Sequence, residues 1–497
     1  MASSKNRKWW GLAALMPALA MVFADQTILP VALPTIQKGL GATEVALQWS
    51  VNAYLLAIAV LVLVGGKLAD GLGLRRAFIF GMALFVGSSA LCGTSQHISW
   101  LIAARALQGV GAALMFPAST ALLMSLFPPS ERGRAVGINV SVSSLFMILG
   151  PLLGGYLVEH SSWRWIFYVN LPLGILGILL VLLFIPPSKE HTDKRGDRID
   201  RPGFVYFTIC STALVVAMME GREWGWDSWP ILSLFGVTLL SGLFLVLREK
   251  KAAHPFLDLS LFKHPLYKAV NISIFAVQFI LMITVFRAVF FQDALDWSPM
   301  KTGVVSFFSC TPVLFMSLLG GFLSDRFGPK LPIAVGYFCL VFSFFWTAFF
   351  IESSLPILLL GLCALGFGVP LVMTPSYASA MGAIPPDKAG TAFGTISTVR
   401  SLGSTVGVAV IGSLLDNIQH SAFRRIAPGE PASVLNQPVS SLPSSIASSV
   451  KAALFDGFFF THILIGIALL VSFFFVFVLY KRHSLHRIPM PPAQGWD

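Results

Sequence analysis

Charge is scarce in this sequence. Only 11% of its 497 residues are Asp, Glu, Lys or Arg, whereas an ordinary soluble domain has about 25%. So few charges could not cover the surface of a soluble protein of this length, and a disordered chain would be far more polar. Negative charges are fewer than positive ones, with 23 Asp and Glu against 34 Lys and Arg. Because mean hydropathy is +0.78, this excess of cations favours a membrane protein over one that binds nucleic acid.

Cysteines and catalytic motifs are also few. The five cysteines lie inside apolar runs, which does not suggest a disulfide framework or a metal cluster. The chain has neither a G-x-x-x-x-G-K-[ST] phosphate loop nor a G-x-S-x-G nucleophile elbow. We therefore expect neither an enzyme nor an ATP-driven pump, and no metal or cofactor.

Long apolar runs are what the sequence has instead. A membrane helix needs about 20 mostly apolar residues. Fourteen runs meet that need, at 10–34, 47–66, 77–95, 100–124, 135–158, 165–186, 203–220, 229–247, 269–292, 301–323, 331–351, 355–380, 391–415 and 457–480. The first run resembles a signal peptide, with Ala18-Leu19-Ala20 as a cleavage site, but it continues past that point and thirteen more follow. We predict that it is an uncleaved first helix.

The distribution of Lys and Arg predicts the orientation. If the N-terminus lies in the cytoplasm and the spans alternate, most of the 34 basic residues fall in inward segments. Cytoplasmic loops carry such an excess of Lys and Arg. We therefore expect a multi-pass protein of the inner (cytoplasmic) membrane with both termini in the cytoplasm.

The chain contains an internal repeat. Residues 66–75, GKLADGLGLR, recur as 321–330, GFLSDRFGPK, and Gly109 and Gly111 recur at nearly the same spacing as Gly366 and Gly368. Both copies of the first motif follow a span on the predicted cytoplasmic side, so the halves are parallel repeats. The spacing covers eight spans, which places two extra helices between two six-helix halves.

Five segments together resemble a known family. They are 66–75, the helix-four motif around Arg105 and Gln108, residues 150–155 (GPLLGG), residues 163–167 (WRWIF) and residues 254–259 (HPFLDL). The chain resembles the fourteen-spanner drug:proton antiporter branch of the major facilitator superfamily, the EmrB/QacA-type multidrug exporters. The resemblance implies an all-α membrane protein with the major facilitator fold, two parallel-repeat six-helix bundles plus two inserted helices.

We expect five parts of the chain. They are an N-terminal six-helix bundle at 1–186, cytoplasmic linkers with the two extra transmembrane helices at 187–268, a C-terminal six-helix bundle at 269–480, an outward loop at 416–456 within it, and a cytoplasmic tail at 481–497. The outward loop is rich in Ser and Pro, which favours a disordered connector. A periplasmic adaptor protein is a candidate partner for it.

A conformational gate is predicted at the repeated cytoplasmic motif. Tight turns there need a glycine that adopts positive φ, and a carboxylate can cap a helix or pair with arginines of the next cytoplasmic loop. A latch of this kind holds one transporter conformation and releases in the other; the alternative is a plain helix cap. The candidate residues are Asp70, Gly73, Arg75, Arg132, Arg134, Asp325 and Gly328.

The helix-five motif consists of Gly150, Pro151, Gly154 and Gly155. Glycines let two helices approach closely, and a proline removes one backbone donor and bends the helix. A seal between the two halves would use both properties, whereas generic packing of small residues is the alternative.

Asp25 is the acidic residue that the predicted spans place deepest, and it is the candidate proton carrier. A carboxylate in hydrocarbon is costly and should face the interior or a cavity. Arg105 is its candidate partner, since both are predicted in the outer half of the membrane. Snorkelling to the outer surface is the alternative for Arg105. The alternative for Asp25 is a structural role, with its carboxylate bonded to a neighbouring helix. Glu220 and His462 are then the next candidates for the proton site.

Arg400, Gln108 and Asn52 are candidates for the substrate cavity or gate. Arg400 lies too deep in its span to snorkel, whereas Arg287, nearer an outer end, is expected to snorkel. With one clear acid and three arginines in the predicted spans, we expect a neutral or anionic lipophile as substrate.

The predicted function is proton-coupled antiport that exports lipophilic small molecules by alternating access, with protons and membrane lipids as further partners. The alternative is a proton-coupled importer of a small organic solute with the same fold. Importers have no need of the helix-five element, which counts against that alternative.

Overall fold

The computed structural model describes residues 4–186, 200–221, 223–252, 257, 259–383, 389–436, 439 and 442–482. Within these residues the chain is helical, with two short 3-10 turns and no strands. The helices are α1 Ser4–Leu40, α2 Glu44–Leu72, α3 Leu74–Gly93, α4 Ile98–Leu126, α5 Pro129–His160, α6 Trp165–Tyr168, α7 Asn170–Phe184, α8 Arg201–Glu220, α9 Trp229–Glu249, α10 Pro265–Leu281, α11 Ile283–Asp293, α12 Pro299–Cys310, α13 Pro312–Phe327, α14 Lys330–Phe349, α15 Leu355–Ala383, α16 Ala389–Ile426 and α17 Ser444–Arg482.

In the described part of the chain, fourteen helical segments are long and apolar enough to cross a membrane, which confirms the predicted all-α fold. Three of these segments are interrupted: α6 leads into α7, α10 into α11, and α12 into α13. Pro312 explains the last break, because proline has no N–H to continue the hydrogen-bond ladder of α12. The break between α10 and α11 falls at Met282, and no proline lies there.

The bundle has two halves. Helices α1–α7 pack mainly among themselves, as do α10–α17. Contacts between the halves join α5 to α12, α2 to α16 and α1 to α11. The inserted helices α8 and α9 pair with each other, and α8 also packs on both α2 and α16. The insertion therefore lies over the seam between the halves on one side.

The outer surface of the bundle is apolar. Leu239 on α9 is 75% exposed and Leu318 on α13 is also 75% exposed. A soluble protein rarely exposes such continuous apolar faces, whereas hydrocarbon is the natural neighbour of this surface. The chain is a multi-pass membrane protein.

The segment expected as an outward loop at 416–456 is mostly ordered helix. Helix α16 continues to Ile426, and α17 begins at Ser444. Between them Val434 and Val439 pack with Phe423 and Val450 in a small apolar cluster. The expectation of a disordered connector is therefore wrong for most of this segment, because both helices extend beyond the hydrophobic stretch that marked their spans.

Candidate functional site

A buried polar network joins α1 to α4. The Arg105 Nη1 donates to Asp25 Oδ2 at 2.6 Å and to Gln108 Oε1 at 2.7 Å. The Gln108 Nε2 donates to the other carboxylate oxygen, Asp25 Oδ1, at 3.2 Å. All three residues are at most 2% exposed. The expected pairing of Asp25 with Arg105 is present, and snorkelling of Arg105 is excluded.

Two residues of α2 complete the shell around Arg105. Its Nε donates to the Ser50 carbonyl oxygen at 3.1 Å, and its guanidinium carbon lies 4.2 Å from the centre of the Tyr54 ring. A cation over an aromatic face is stabilised by the ring quadrupole. Nothing in the sequence singled out Ser50 or Tyr54, because a backbone carbonyl and a single tyrosine carry no spacing signal.

Close helix packing brings these groups together. A Cβ added at Gly109 would lie 2.5 Å from the Tyr54 carbonyl oxygen, and one added at Gly111 would lie 2.6 Å from the Phe85 backbone nitrogen. The glycines that follow Arg105 thus allow α4 to lie directly against α2 and α3. Helix α4 can therefore present Arg105 to Asp25 and Tyr54 together.

An exposed side chain in the middle of α1 indicates a space between the halves beside the network, which we call the central cavity and define by Gln26, Phe116 and Arg400. Gln26 follows Asp25 in the middle of α1, yet it is exposed, and it lies near Tyr54. From the other half, the Arg400 guanidinium carbon lies 5.7 Å from the Phe116 ring centre. Among the described residues Arg400 has no acidic partner. The central cavity thus combines an aromatic ring with a cation that has no acidic partner among the described residues.

Asn52 lies apart from this cavity grouping. Its Nδ2 donates to the Met219 sulfur at 3.0 Å, so its side chain faces the inserted helix α8. The adjacent Glu220 accepts from Trp49 Nε1 at 2.7 Å. The sequence grouped Asn52 with Gln108 and Arg400, but the structure places Gln108 on Asp25 and Asn52 against α8. A role of Asn52 in the cavity stays a prediction.

The helix-five motif makes two different contacts. A Cβ at Gly150 would lie 2.0 Å from Thr27 Oγ1, and one at Gly154 would lie 2.8 Å from Ile28 Cγ1, both on α1. On the opposite side of α5, a Cβ at Gly155 would lie 2.6 Å from the Pro299 carbonyl oxygen on α12. Gly150 and Gly154 therefore hold α5 inside its own half, and Gly155 brings it against the other half.

Close contacts join the two halves at the end of the bundle where α1 ends and α2 begins, which we call the distal end. A Cβ at Gly303 of α12 would lie 2.3 Å from the Pro151 carbonyl oxygen of α5. The Glu159 carboxylate accepts from the Met300 backbone N–H at 2.8 Å, and Gln292 Nε2 donates to the Val31 carbonyl oxygen at 2.8 Å. The two halves are therefore closed against each other at the distal end.

The repeated gate motif forms matching corners. Gly73 between α2 and α3 has φ of 87°, and Gly328 between α13 and α14 has φ of 78°, a region that favours glycine. Arg75 Nη2 donates to the Leu182 carbonyl oxygen near the end of α7 at 2.9 Å. The side chains of the other four gate candidates lie outside the described part of the chain, so the latch stays a prediction; they are Asp70, Arg132, Arg134 and Asp325.

The expectation that Arg287 snorkels is wrong. Arg287 is 5% exposed. It lies inside the C-terminal half, within electrostatic range of the Cys310 and Cys363 thiols. His462 is also buried there, and its Nδ1 lies 2.8 Å from the Phe458 carbonyl oxygen of its own helix. Among the described residues His462 has no acidic partner.

The count of one acid within the spans also needs correction. Helix α16 carries Asp416, which is 7% exposed and lies 3.2 Å from His420 Nδ1. Asp293 ends α11 and lines a cavity between the halves at the distal end. Both residues fell just outside the predicted apolar runs, because the helices extend beyond those runs far enough to include them. They lie near the distal end, whereas Asp25 is the acid of the central network.

Fourteen apolar helices, two repeated six-helix halves and a charged network beside a cavity between them define a membrane transporter. A family model described as the Major Facilitator Superfamily matches residues 15–408. The chain belongs to this superfamily, which confirms the predicted fold, and it is a transporter rather than an enzyme.

Similar proteins include drug exporters. The chain is 37% identical over 402 residues to Multidrug resistance protein Stp of Mycobacterium tuberculosis (strain CDC 1551 / Oshkosh), covering 80% of this chain and 74% of that one. It is 29% identical to the Tetracenomycin C resistance and export protein of Streptomyces glaucescens, covering 91% and 87%. It also resembles Riboflavin transporter RibZ of Clostridioides difficile (strain 630), at 31% identity with coverage of 82% and 88%.

Solved structures show the same fold. A bacterial homolog of the human lysosomal transporter Spinster, solved in an inward-facing and unoccupied conformation, superimposes with a TM-score of 0.68 at 17% identity. The match covers 98% of this chain and 100% of that chain.

Proposed function

We propose that this protein is a proton-coupled antiporter that exports lipophilic small molecules from the cytoplasm by alternating access. The observation that carries the proposal is the buried Asp25–Arg105 pair beside the central cavity. The drug-exporting relatives support the direction of transport. In this proposal both termini lie in the cytoplasm, the distal end faces outward, and a neutral or anionic lipophile is the preferred substrate.

Asp25 is suited to carry the proton because its protonation state determines whether the buried Arg105 charge is neutralised. When Asp25 is ionised, the Arg105 charge is neutralised at 2.6 Å and every described partner of the network is engaged. When Asp25 is protonated, Arg105 keeps only neutral partners, the Ser50 carbonyl, Gln108 and the Tyr54 ring. An uncompensated buried cation is costly, so protonation changes the free energy of the conformation that encloses it.

The network can transmit this change to the substrate. Tyr54 packs on Arg105 and lies within electrostatic range of Arg400, which borders the central cavity. Lipophilic molecules suit a cavity bordered by Phe116, whose ring centre lies 6.4 Å from that of Phe23. Arg400 adds a positive charge that favours a neutral or anionic molecule over a cation.

The distal contacts provide the second requirement of alternating access, a seal that must open. The close approaches of Gly155 and Gly303 to the opposite half hold that end shut. Rocking of the halves would separate these contacts while leaving the Gly150 and Gly154 contacts, which lie within one half, intact.

The test is dye uptake into inverted membrane vesicles with and without an imposed proton gradient. Asp25→Asn keeps size and polarity but removes the titration. We expect it to abolish gradient-driven uptake while the protein remains folded and inserted. Asp227→Asn, which removes an exposed carboxylate from the α8–α9 loop, is the matched control and should behave as wild type. Uphill uptake by Asp25→Asn at the wild-type rate would move proton coupling to another group, with His462 and Glu220 next.

A further inference from the structure

Arg287 is a buried arginine whose charge the proposed proton site does not neutralise. It lies on α11, one turn beyond the break at Met282, and is 5% exposed. Among the described residues it has no carboxylate within salt-bridge distance and no hydrogen-bond acceptor for its guanidinium. The C-terminal half therefore holds a buried, permanent cation that none of the described side chains neutralises.

The neighbours of Arg287 are neutral. The titratable side chains within electrostatic range are the Cys310 and Cys363 thiols and the His462 imidazole. His462 directs its Nδ1 to the Phe458 carbonyl oxygen and is flanked by the Phe344 and Phe458 rings. None of these groups supplies a negative charge.

The nearest acid along the same helix does not compensate either. Asp293 follows Arg287 by six residues, which places it about 9 Å further along the axis and on a different face. Its electrostatic partners are Lys38 and Asp296. Arg105 in the other half shows what a satisfied buried arginine needs, since it has a carboxylate, an amide, a carbonyl and an aromatic ring.

We propose that the C-terminal half binds a monovalent anion, a halide or a carboxylate, against Arg287. Arginine is always charged and its planar donors match a carboxylate in a bidentate arrangement, and they also hold a halide. The anion restores the charge balance that an interior of thiols, imidazole and phenyl rings lacks. It has two sources, an inorganic ion from solution or the acidic group of an exported molecule. This site is distinct from Asp25 and does not depend on the proposed proton coupling.

The test uses the full-length protein in lipid nanodiscs without any gradient, so it is independent of transport. Thermal unfolding is measured at constant ionic strength while methanesulfonate is replaced stepwise by chloride, and separately with benzoate added. We expect a saturable rise of the unfolding temperature in wild type. Arg287→Gln should weaken the apparent affinity by about ten-fold or more, because the charge-assisted contacts are lost. Arg424→Gln, which removes an exposed arginine from the end of α16, is the control and should leave the affinity unchanged.

A second measurement needs no variant. A bound anion should slow alkylation of Cys310 and Cys363 by a small membrane-permeant maleimide several-fold, as read by peptide mass spectrometry. Cys210 on α8 is the control, because Arg287 is not among its electrostatic neighbours. It should react at the same rate in methanesulfonate and in chloride.

The anion series distinguishes the sources. A response to chloride that Arg287→Gln weakens supports an inorganic ion. A response to benzoate alone, also weakened in the variant, supports a substrate carboxylate. The proposal is overturned if wild type shows neither saturable stabilisation nor protection of the two thiols, or if Arg287→Gln responds as wild type does. If Arg287→Gln does not fold, the thiol protection in wild type decides.

Discussion

Gly303→Ala should loosen the distal seal without damaging either half. A Cβ at this position would lie 2.3 Å from the Pro151 carbonyl oxygen, whereas ordinary contact begins at 3.4 Å. The helices α12 and α5 must therefore separate by about 1 Å, and overpacking of this kind costs about 1–3 kcal/mol. The cost falls on the distally closed state alone, because the two helices belong to different halves. The population ratio of distally open to closed protein should rise by about 5–150-fold.

Thiol accessibility measures this shift. Val289 lines the distal cavity between the halves, so Val289→Cys in a background without the five native cysteines reports its opening. We expect a membrane-impermeant thiol reagent to label this cysteine faster in intact cells when Gly303→Ala is present. The labelling rate should rise by the same factor as the population, up to the rate of the fully open state.

The control is a glycine of the helix-five motif that contacts only its own half. Gly154→Ala places its Cβ 2.8 Å from Ile28 Cγ1 within the N-terminal half. It should lower the unfolding temperature while leaving the labelling rate unchanged, because both conformations contain that contact. Equal labelling in wild type and Gly303→Ala would refute the seal, and so would an equal increase with Gly154→Ala.

Three further predictions concern the network, the cavity and the topology. Arg105→Lys should reduce gradient-driven efflux about ten-fold or more, since one ammonium cannot engage Asp25, Gln108 and the Ser50 carbonyl in the fixed geometry of a guanidinium; wild-type efflux in vesicles would contradict this. Arg400→Gln should broaden export toward cations, measured by resistance to matched dyes of charge −1, 0, +1 and +2, and unchanged selectivity would show that Arg400 does not act on substrate. A tag within 187–201 should resist labelling from outside intact cells while one within 425–445 is labelled, and labelling of the first would contradict the proposed orientation.

The parts of the fold that depend on composition were predictable. Apolar length predicted all fourteen spans, and a repeated glycine and charge pattern predicted two parallel halves. Asp25 was predictable as the central acid because a lone carboxylate in an apolar run has few structural explanations. The partner residues on α2 were not, since Tyr54 and the Ser50 carbonyl acquire their roles only from the crossing of α2 and α4.

The failures share a cause: the sequence shows where apolar residues end, not where helices end or which way they face. Helix α16 continues eleven residues past the predicted boundary at 415, and this extension brings Asp416 into the helix. Arg287 was assigned to the surface from its distance to the end of the span alone. The side of α11 on which it lies depends on the packing of that helix, which no periodic pattern in the sequence revealed.

The halves differ in charge at equivalent positions. At the spacing that relates Gly109 to Gly366, Asp25 corresponds to Met282 and Arg105 to Leu362. The buried Asp25–Arg105 pair thus has no counterpart at these positions of the C-terminal half, which holds Arg287 and Arg400 without acidic partners among the described residues. Proton binding and substrate attraction therefore fall to different halves in the proposed mechanism.

The sign of the substrate charge then decides how the proton affects binding. Protonation of Asp25 removes a negative charge beside the central cavity, so by electrostatics alone it strengthens binding of an anion there. Antiport needs the opposite, because the proton and the substrate must load the carrier alternately. The binding of a neutral lipophile depends little on this charge. The conformational change alone can then couple proton binding to its release, so neutral molecules should be the better antiport substrates. We expect the Kd of a neutral dye for the purified protein to be higher in Asp25→Asn, which mimics the protonated carboxyl group, than in wild type, and the Kd of an anionic analogue to be lower. If both dyes bind equally more weakly in the variant, Asp25 acts through conformation alone and its charge does not select the substrate.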